Sequence, residues 1–327
     1  MIAPAKPHNE AERTQVLQDL GLIYSPSEPR FDRITRLAMR HFDVSACLVS
    51  LVYKEIQWFK SVQGLNACST DRELSFCGHA ILHNETMVVE NALLDPRFMD
   101  NPLVLDAPRL RFYAGQPLKD PFGVVLGTLC IMDGAPRAFS QEDRQDLQDF
   151  ARLVEIEIAK NHEESVVSRF IGGLSESQRV LLIDPVVGSW NRRGFEALVD
   201  KELEFAKGQG EPLALLKVTL QSYDAVLARF GQERMVDFSK FTAGLIRDTL
   251  PESASLGSWG PQAFVAVLPH VEKSALDRVA EQLKKNFQTY ALHSHGAQTF
   301  VDVDVACVAF DKDALPASSA AALDALK

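Results

Sequence analysis

The chain lacks several features that would assign it to a class at once. No stretch approaches the roughly 18 apolar residues that span a bilayer, and the opening MIAPAKPHNEAERTQ has no apolar segment typical of an export signal. Basic residues are the minority, 34 Lys and Arg against 44 Asp and Glu, so the net charge of −10 offers no surface for a phosphate backbone. We therefore predict a cytoplasmic protein with neither nucleic-acid nor membrane partners.

Paired cysteines are also missing. The five cysteines are scattered without the spacing of a disulfide framework or a metal knuckle, which favours reduced thiols. With 46% hydrophobic and 24% charged residues, the 327-residue chain has the composition of globular protein and the length of about two domains. The predicted segments are a flexible tail at 1–16, a first domain at 17–160, a helical linker at 161–179, a second domain at 180–313 and a flexible tail at 314–327.

The first half combines buried strands with amphipathic helices. Apolar residues at helical spacing predict helices over 31–42 and 141–161. Runs rich in β-branched and aromatic residues predict strands at 44–53, 87–89, 111–114 and 124–132, with a loop rich in Asp, Pro and Asn between 91 and 108. This pattern indicates a sheet with long connections on one side.

The second half reads as an α+β domain. Strands are predicted at 213–220, 263–268 and 299–310, and helices at 223–230, 235–250 and 272–290. This order favours an antiparallel sheet covered by helices.

Four segments of the first half resemble a GAF sensor domain, in the bacterial subgroup found upstream of histidine kinase and GGDEF modules. They are FCGHAI at 76–81, DPRF at 95–98, RFYAGQPL at 111–118 and GTLCIMD at 127–133. The resemblance implies a PAS-like fold, with helices on one face of a central antiparallel sheet and loops that can close over a small ligand on the other. The candidate ligand-binding residues are Cys77, His79, Arg97, Arg111, Tyr113, Cys130 and Asp133.

Alternation along the strand places Arg111 and Tyr113 on one side, where a guanidinium and a phenol could meet an anionic or planar ligand. Arg111 could instead pair with a loop carboxylate, Asp95 or Asp133. The segment from Asp95 to Arg97 reads equally well as a turn with an internal ion pair.

The thiols and imidazoles of this half allow two further interpretations. Cys77, His79 and His83 carry good soft-metal ligands, but their spacing matches no known metal motif, and we predict no metal site. Cys77 and Cys130 could approach as a redox pair, as thiols do in some GAF enzymes that reduce methionine sulfoxide. The alternative is that each is a small buried hydrophobic residue.

Two motifs of the second half resemble the GGDEF family of diguanylate cyclases. DPVVGSWNRRGF at 184–195 is similar to the opening D-x-L-T-G-L-x-N-R-R-x-F, and LGSWGPQAFVAVLP at 256–269 is similar to the signature hairpin. The fold implied is the ferredoxin-like, nucleotide-cyclase type, joined by a helix to the GAF domain. The matching positions have lost the family's residues: Gly260, Pro261, Gln262 and Ala263 stand for Gly-Gly-Asp-Glu, Thr219 and Gln221 for two Asp, and Leu227 and Ala228 for Asn-Asp.

Active cyclases of this family use those carboxylates to hold divalent metals against the GTP triphosphate. The family's Arg-x-x-Asp product-inhibition motif is also absent, because Pro-Glu-Ser-Ala stands at 251–254. The resemblance therefore implies a noncatalytic signalling protein without a cofactor, whose second domain serves dimerisation, nucleotide sensing or partner binding. Expected partners are an unknown small molecule at the GAF domain, a guanine nucleotide, and a second copy of the chain through the GAF domain and linker helix.

Two alternatives stay open. One is a diguanylate cyclase-related protein with residual activity, or an effector that binds cyclic di-GMP or GTP. The other is a thiol redox GAF enzyme.

Overall fold

The computed structural model describes residues 1–160, 166–289, 292–294 and 297–326. The chain divides into two compact units, Met1–Glu164 and Ser165–Lys327. Within the described residues, no helix combines the length and the apolar character needed to cross a membrane.

The first unit is built on a six-stranded sheet of order β3-β2-β1-β6-β5-β4, in which every neighbouring pair is antiparallel. Its strands are β1 (Ala46–Tyr53), β2 (Ile56–Gln63), β3 (Ser69–Asp71), β4 (Met87–Val89), β5 (Phe112–Lys119) and β6 (Val125–Asp133). Its helices are α1 (Glu10–Asp19), α2 (Pro29–His41), α3 (Phe76–Ala80), α4 (Pro102–Leu105) and α5 (Gln141–Ala159), with a 3₁₀ turn at Arg72–Leu74.

Alternation along β5 divides its side chains between two cores, as the sequence predicts. Phe112 and Ala114 join the core beneath α2 and α5, whereas Tyr113 joins the core beneath α3. Helix α5 begins at a capping box in which Ser140 and Asp143 satisfy each other's backbone N–H groups. The helices and strands expected in this half are present, with ends shifted by up to five residues. The loop expected between 91 and 108 is wrong in part, because it contains α4. Strands β2 and β3 and helix α3 were not expected, and β2 pairs with β1 across a tight turn.

The N-terminal segment differs from the expected flexible tail. Helix α1 covers residues 10–19, and Arg13 within it is fully buried. The Arg13 guanidinium donates hydrogen bonds to the carbonyls of Val125 (2.6 Å), Val52 (2.9 Å) and Leu126 (3.0 Å) and pairs with Glu10. These bonds fasten α1 to the sheet, which a polar composition alone does not reveal.

The second unit has a four-stranded antiparallel sheet of order β12-β7-β9-β8 and a separate two-stranded ribbon of β10 and β11. Its strands are β7 (Leu213–Leu220), β8 (Ser255–Ser258), β9 (Ala263–Pro269), β10 (Leu292–Ser294), β11 (Ala297–Thr299) and β12 (Val303–Phe310). Its helices are α6 (Val166–Gly172), α7 (Glu176–Val180), α8 (Arg192–Gln209), α9 (Tyr223–Phe230), α10 (Met235–Thr249), α11 (Lys273–Thr289) and α12 (Ser319–Asp324), with 3₁₀ turns at Gln232–Arg234 and Lys312–Ala314.

Helices cover both faces of this sheet. The core on one face takes residues from α9, α10 and α11, and the core on the other takes residues from α6, α8 and α12. Two of the expected domain boundaries differ in the structure. The described part of the expected linker, 166–179, belongs to the second unit, and the expected C-terminal tail contains α12, whose Ala322 is buried with Leu326. Residues 161–165 of that linker lie outside the described residues.

Candidate functional site

Three of the predicted GAF residues meet in one buried cluster, which we call the thiol cluster: Cys77, Cys130, Tyr113 and Gln57. The sulfur of Cys77 lies 3.5 Å from that of Cys130. The Tyr113 hydroxyl donates to the Cys77 sulfur at 3.3 Å, and the Gln57 side-chain amide donates to it at 3.2 Å. All four side chains are at least nine-tenths buried, and both cysteines are free thiols.

The pKa values of the two thiols in this cluster are shifted in opposite directions. Burial raises the pKa of the Cys77 thiol, but its hydrogen bonds with Cys130 and Tyr113 and the nearby hydroxyls of Thr128 and Ser50 outweigh burial and hold that pKa below its ordinary value. Burial and the neighbouring Cys77 raise the pKa of Cys130 well above its ordinary value. The first proton to leave this pair is therefore that of Cys77.

Aromatic rings occupy the space on the α3 side of the sheet. The rings of Phe76 and Phe98 stack with centroids 3.8 Å apart, Tyr113 lies 5.3 Å from Phe76, and the His79 ring meets Phe98 edge-on at 5.0 Å. Burial lowers the pKa of His79, and its Nε2 lies 2.9 Å from the carbonyl oxygen of Ile2. A ligand over this part of the sheet would have to displace these rings.

The other predicted GAF residues have structural partners. Arg97 forms the expected ion pair with Asp95, at 2.6 Å, and the Asp95 carboxylate also accepts the Arg97 backbone N–H. The expected pairing of Arg111 with Asp95 or Asp133 is wrong, because its guanidinium donates to the backbone carbonyls of Val104 (2.8 Å) and Leu110 (3.0 Å). The Asp133 carboxylate lies 3.6 Å from Arg137. These contacts fix loop geometry around the sheet.

Four residues of this site were not predicted. Gln57 is a donor to Cys77, Ser50 and Thr128 lie opposite each other in the β1–β6 register, and Gly115 lies opposite Cys130 in the β5–β6 register. A signal for Ser50 and Thr128 exists in the sequence, since each is a hydroxyl within a strand that is otherwise almost entirely apolar.

In the second unit, the motif at 184–195 builds the start of α8. The Asp184 carboxylate accepts the backbone N–H of Val186 at 2.8 Å, and Gly188 takes a φ of 64°, which favours glycine. The Asn191 side chain accepts the Gly194 N–H at 3.0 Å and thereby caps α8. Each of these three family residues therefore stabilises the local backbone: Asp184, Gly188 and Asn191.

The strand and hairpin positions that carry carboxylates in the resembling family are brought together. Thr219 on β7 lies opposite Ala263 on β9, and Gly260 enters the turn between β8 and β9 with a φ of 91°. Pro261 and Gln262 are exposed at the tip, where the Gln262 amide donates to the Asp224 carboxylate at 3.2 Å. A hydroxyl, a methyl group and an amide do not fit a divalent cation, which prefers several carboxylate oxygens.

The other positions at which the resembling family has Asp or Asn are occupied by Gln221, Leu227 and Ala228. Gln221 is exposed, and its backbone N–H donates to the Asp302 carbonyl at 2.8 Å. Leu227 on α9 packs against the core beneath α10 and α11, and Ala228 is exposed. Among the residues that the structure describes, no three His, Cys, Asp or Glu side chains gather in a way that would hold a metal ion.

A cleft of about 460 Å³ lies elsewhere in the second unit, between α6 and α8. Phe170, Phe205 and Leu174 give it an apolar wall, and Arg169 stacks on the Phe205 ring at 5.0 Å. None of the residues predicted as site residues lines it.

Comparison with known families agrees with this geometry. The GAF domain family model matches residues 27–158, and the family model described as diguanylate cyclase, GGDEF domain, matches residues 181–323. The chain therefore consists of a GAF domain followed by a GGDEF domain, in the α+β folds that the sequence resemblance implies.

Two relatives come from Pseudomonas aeruginosa. Over 290 residues the chain is 31% identical to the cyclic di-GMP phosphodiesterase PA2567, a match that covers 88% of this chain and 46% of the relative. Over 185 residues it is 22% identical to the diguanylate cyclase DgcP, covering 57% of this chain and 27% of that protein. The chain thus spans less than half the length of these curated relatives.

Among solved structures, the GGDEF domain of FimX from Pseudomonas aeruginosa is 21% identical and matches with a TM-score of 0.41. That match covers 44% of this chain and 88% of the FimX domain.

Proposed function

We propose that the protein is a noncatalytic, cytoplasmic signalling protein of cyclic di-GMP pathways. In this proposal the GAF domain receives the signal, and the GGDEF domain has lost cyclase activity and transmits the signal through a nucleotide or protein partner. One observation carries the proposal: Thr219 and Ala263 lie opposite each other where the resembling family has metal-holding carboxylates.

The chemistry of phosphoryl transfer explains why Thr219 and Ala263 argue against catalysis. Catalysis depends on metal ions that neutralise developing charge on the phosphates, and those ions are held by negatively charged oxygens. Thr219 offers a neutral hydroxyl and Ala263 offers no ligand. The carboxylate beside them, Asp224, accepts a hydrogen bond from Gln262.

The pattern of retained and changed residues supports the same conclusion. The retained residues shape the backbone and the core: Asn191 caps α8, and Phe195 is buried so close to Gly257 that a Cβ added there would be 2.6 Å from the Phe195 ring. The changed residues are those with acid or guanine-binding chemistry in the family. Such a division is expected where the fold is needed and the cyclase reaction is not.

The relatives support the choice of pathway. One is named a cyclic di-GMP phosphodiesterase and the other a diguanylate cyclase. Because this chain spans less than half of either, we extend to it only the association with this second messenger.

The proposal includes a homodimer through the GAF domain and the linker helix. Helix α5, which ends just before residues 161–165, leaves Leu153 and Ile156 nearly half exposed, at 48% and 45%. Apolar side chains one helical turn apart suit a helix-to-helix contact between copies. Sedimentation of the full chain as a monomer at micromolar concentration would contradict this part.

The decisive experiment incubates the purified chain with GTP and Mg²⁺ or Mn²⁺ and measures cyclic di-GMP by mass spectrometry. We expect no product above a no-enzyme blank, with an active diguanylate cyclase as the positive control. The matched variant is Asp224→Asn, which removes the carboxylate that accepts a hydrogen bond from Gln262 of the hairpin. Turnover that is present in the natural chain and lost in Asp224→Asn would overturn the proposal.

Nucleotide binding is separable from turnover. Thermal shifts with GTP and with cyclic di-GMP measure it directly, since a ligand at 100 times its Kd adds about 2.7 kcal/mol to the free energy of unfolding. A shift without turnover supports a nucleotide-sensing role, and no shift with either nucleotide favours a protein partner.

A further inference from the structure

We propose that Cys77 and Cys130 are a redox site of the GAF domain, at which a hydroperoxide oxidises Cys77 and Cys130 then closes a reversible disulfide. This inference goes beyond the proposed function and does not depend on whether the GGDEF domain is active. It is carried by the geometry of the thiol cluster.

The two sulfurs are already in contact. They lie 3.5 Å apart, and a disulfide needs about 2.05 Å, so roughly 1.5 Å of approach closes the bond. Cys77 is on the short helix α3 and Cys130 is in the middle of β6. A small shift of α3 toward the sheet, or rotation of either side chain, supplies a movement of this size.

The polar groups around Cys77 suit a thiolate. The Tyr113 hydroxyl and the Gln57 amide both donate to its sulfur. The hydroxyls of Ser50 and Thr128 are buried without a hydrogen-bond partner among the described residues, and both lie near enough to Cys77 to lower its pKa. Leaving a buried hydroxyl unsatisfied is unfavourable, and a thiolate at Cys77 would act as the missing acceptor.

Gly115 makes room for this arrangement. It lies opposite Cys130 in the sheet register, and a Cβ at this position would fall 2.1 Å from the Tyr113 hydroxyl oxygen. Any side chain at Gly115 would therefore push the phenol away from Cys77. Gly115 and Tyr113 are positioning residues for the thiol.

Cys47 provides an internal contrast. It is fully buried on the neighbouring strand β1, but in the apolar core beneath α2 and α5. Burial raises the pKa of Cys47 far above its ordinary value. Because the thiolate is the nucleophile, Cys47 and Cys77, two equally buried cysteines of one unit, should differ widely in reactivity.

The reaction balances in two steps. The Cys77 thiolate attacks one oxygen of the hydroperoxide, the O–O bond breaks, and the proton of the Cys77 thiol leaves with the other oxygen, giving a sulfenic acid and an alcohol, or water from hydrogen peroxide. The Cys130 sulfur then attacks the Cys77 sulfur, the S–O bond breaks, and the hydroxyl leaves as water with the Cys130 proton. Both thiols are oxidised, and the peroxide is reduced.

The N-terminal segment packs against α3, the short helix that carries Cys77. Pro4 lies against Gly78 of α3, so that an added Cβ at Gly78 would be 2.7 Å from the proline ring. The His79 ring meets the carbonyl of Ile2. Movement of residues 2–4 would therefore open this side of α3 to a peroxide.

The test treats the folded full chain with hydrogen peroxide and maps its cysteines by mass spectrometry without reduction. We expect a Cys77–Cys130 disulfide that dithiothreitol reverses, and a dimedone adduct on Cys77 in the Cys130→Ser variant. Cys47, followed in the same samples, should react at least about tenfold more slowly. Oxidation of Cys47 as fast as Cys77, or a disulfide that forms only on unfolding, would overturn the proposal.

Two variants test the positioning. Tyr113→Phe keeps the ring and removes the donor, so peroxide oxidation of Cys77 should slow severalfold while the fold is kept. Gly115→Ala should slow it further. An unchanged rate in a folded Tyr113→Phe protein would contradict the role of the phenol. Oxidation by free methionine sulfoxide, with methionine released and no reaction with peroxide, would overturn the choice of oxidant.

Discussion

The two units use polar side chains in opposite ways. Most of the buried polar and charged residues that the structure describes are in the GAF unit, and many of them pair with one another: Lys60 meets Glu28 at 2.5 Å, and Ser61 donates to Asp32 at 2.6 Å. In the GGDEF unit, the positions at which we propose that carboxylates have been lost are neutral and lie at a strand end and an exposed turn. Our two proposals therefore place reactive side chains in the interior of the first unit and none at the hairpin of the second.

This difference has a physical consequence for tolerance to change. A buried polar group constrains its neighbours because removing one partner leaves the other unsatisfied. An exposed turn such as 260–262 is constrained mainly by its backbone. Its side chains can therefore change while the turn keeps its shape, whereas the GAF interior cannot lose one donor without a cost.

The sharpest test of this contrast compares two arginines. Arg13→Ala should lower the free energy of unfolding of the GAF unit by about 3 kcal/mol, because three buried carbonyls lose their donor. Arg192→Ala should cost less than about 1 kcal/mol, because Arg192 is 69% exposed and pairs with Glu196 at the surface. Hydrogen exchange of β1 and of β9 measures each unit separately, and equal losses would refute the contrast.

A second effect, which depends on pH, concerns Glu202, a buried carboxyl of the GGDEF unit. Burial raises its pKa to about 7, against the opposing influence of Arg169. Because the folded state holds this proton more tightly than the unfolded state, the stability of this unit should fall as pH rises from about 4.5 to 7.

Replacing the group isolates its contribution. Glu202→Gln should match the natural chain near pH 4.5 and exceed it by up to about 3 kcal/mol above pH 7, at 1.36 kcal/mol for each pKa unit. Hydrogen exchange of β7 across this pH range measures the difference. A stability difference that does not change with pH would show that Glu202 titrates normally.

The smallest effect compares two glycines of the GGDEF unit. Gly260→Ala should cost about 1 kcal/mol, because the turn needs a φ of 91° although the space around it is open. Gly208→Ala, in the last turn of α8 with equally open space, should stabilise by about 0.5 kcal/mol. Denaturant unfolding measures whether each variant lowers or raises the free energy of unfolding. A Gly260→Ala variant with unchanged stability would mean that the hairpin tip is not fixed in this conformation.

Much of the secondary structure was predictable from local pattern. The strand Leu213–Leu220 and the helix Tyr223–Phe230 appear where apolar runs and helical spacing predict them. Helix α1 was not predictable in this way, because its stability depends on Arg13 reaching three carbonyls of strands that are distant in sequence. The same holds for α12, which contributes Ala322 and Leu326 to a core formed largely by other segments.

The sequence by itself determined the two families and the order of the domains, since these depend on residue identity at motif positions. Our proposal that metal-holding carboxylates are lost at Thr219 and Ala263 rests on residue identity in the same way. Only the tertiary structure decided which residues share a site. It brought Cys77 and Cys130 together from positions 53 residues apart and directed Arg111 to backbone carbonyls instead of a carboxylate. Residue identity sets the chemistry that a chain can offer, and packing sets the distances at which that chemistry can act.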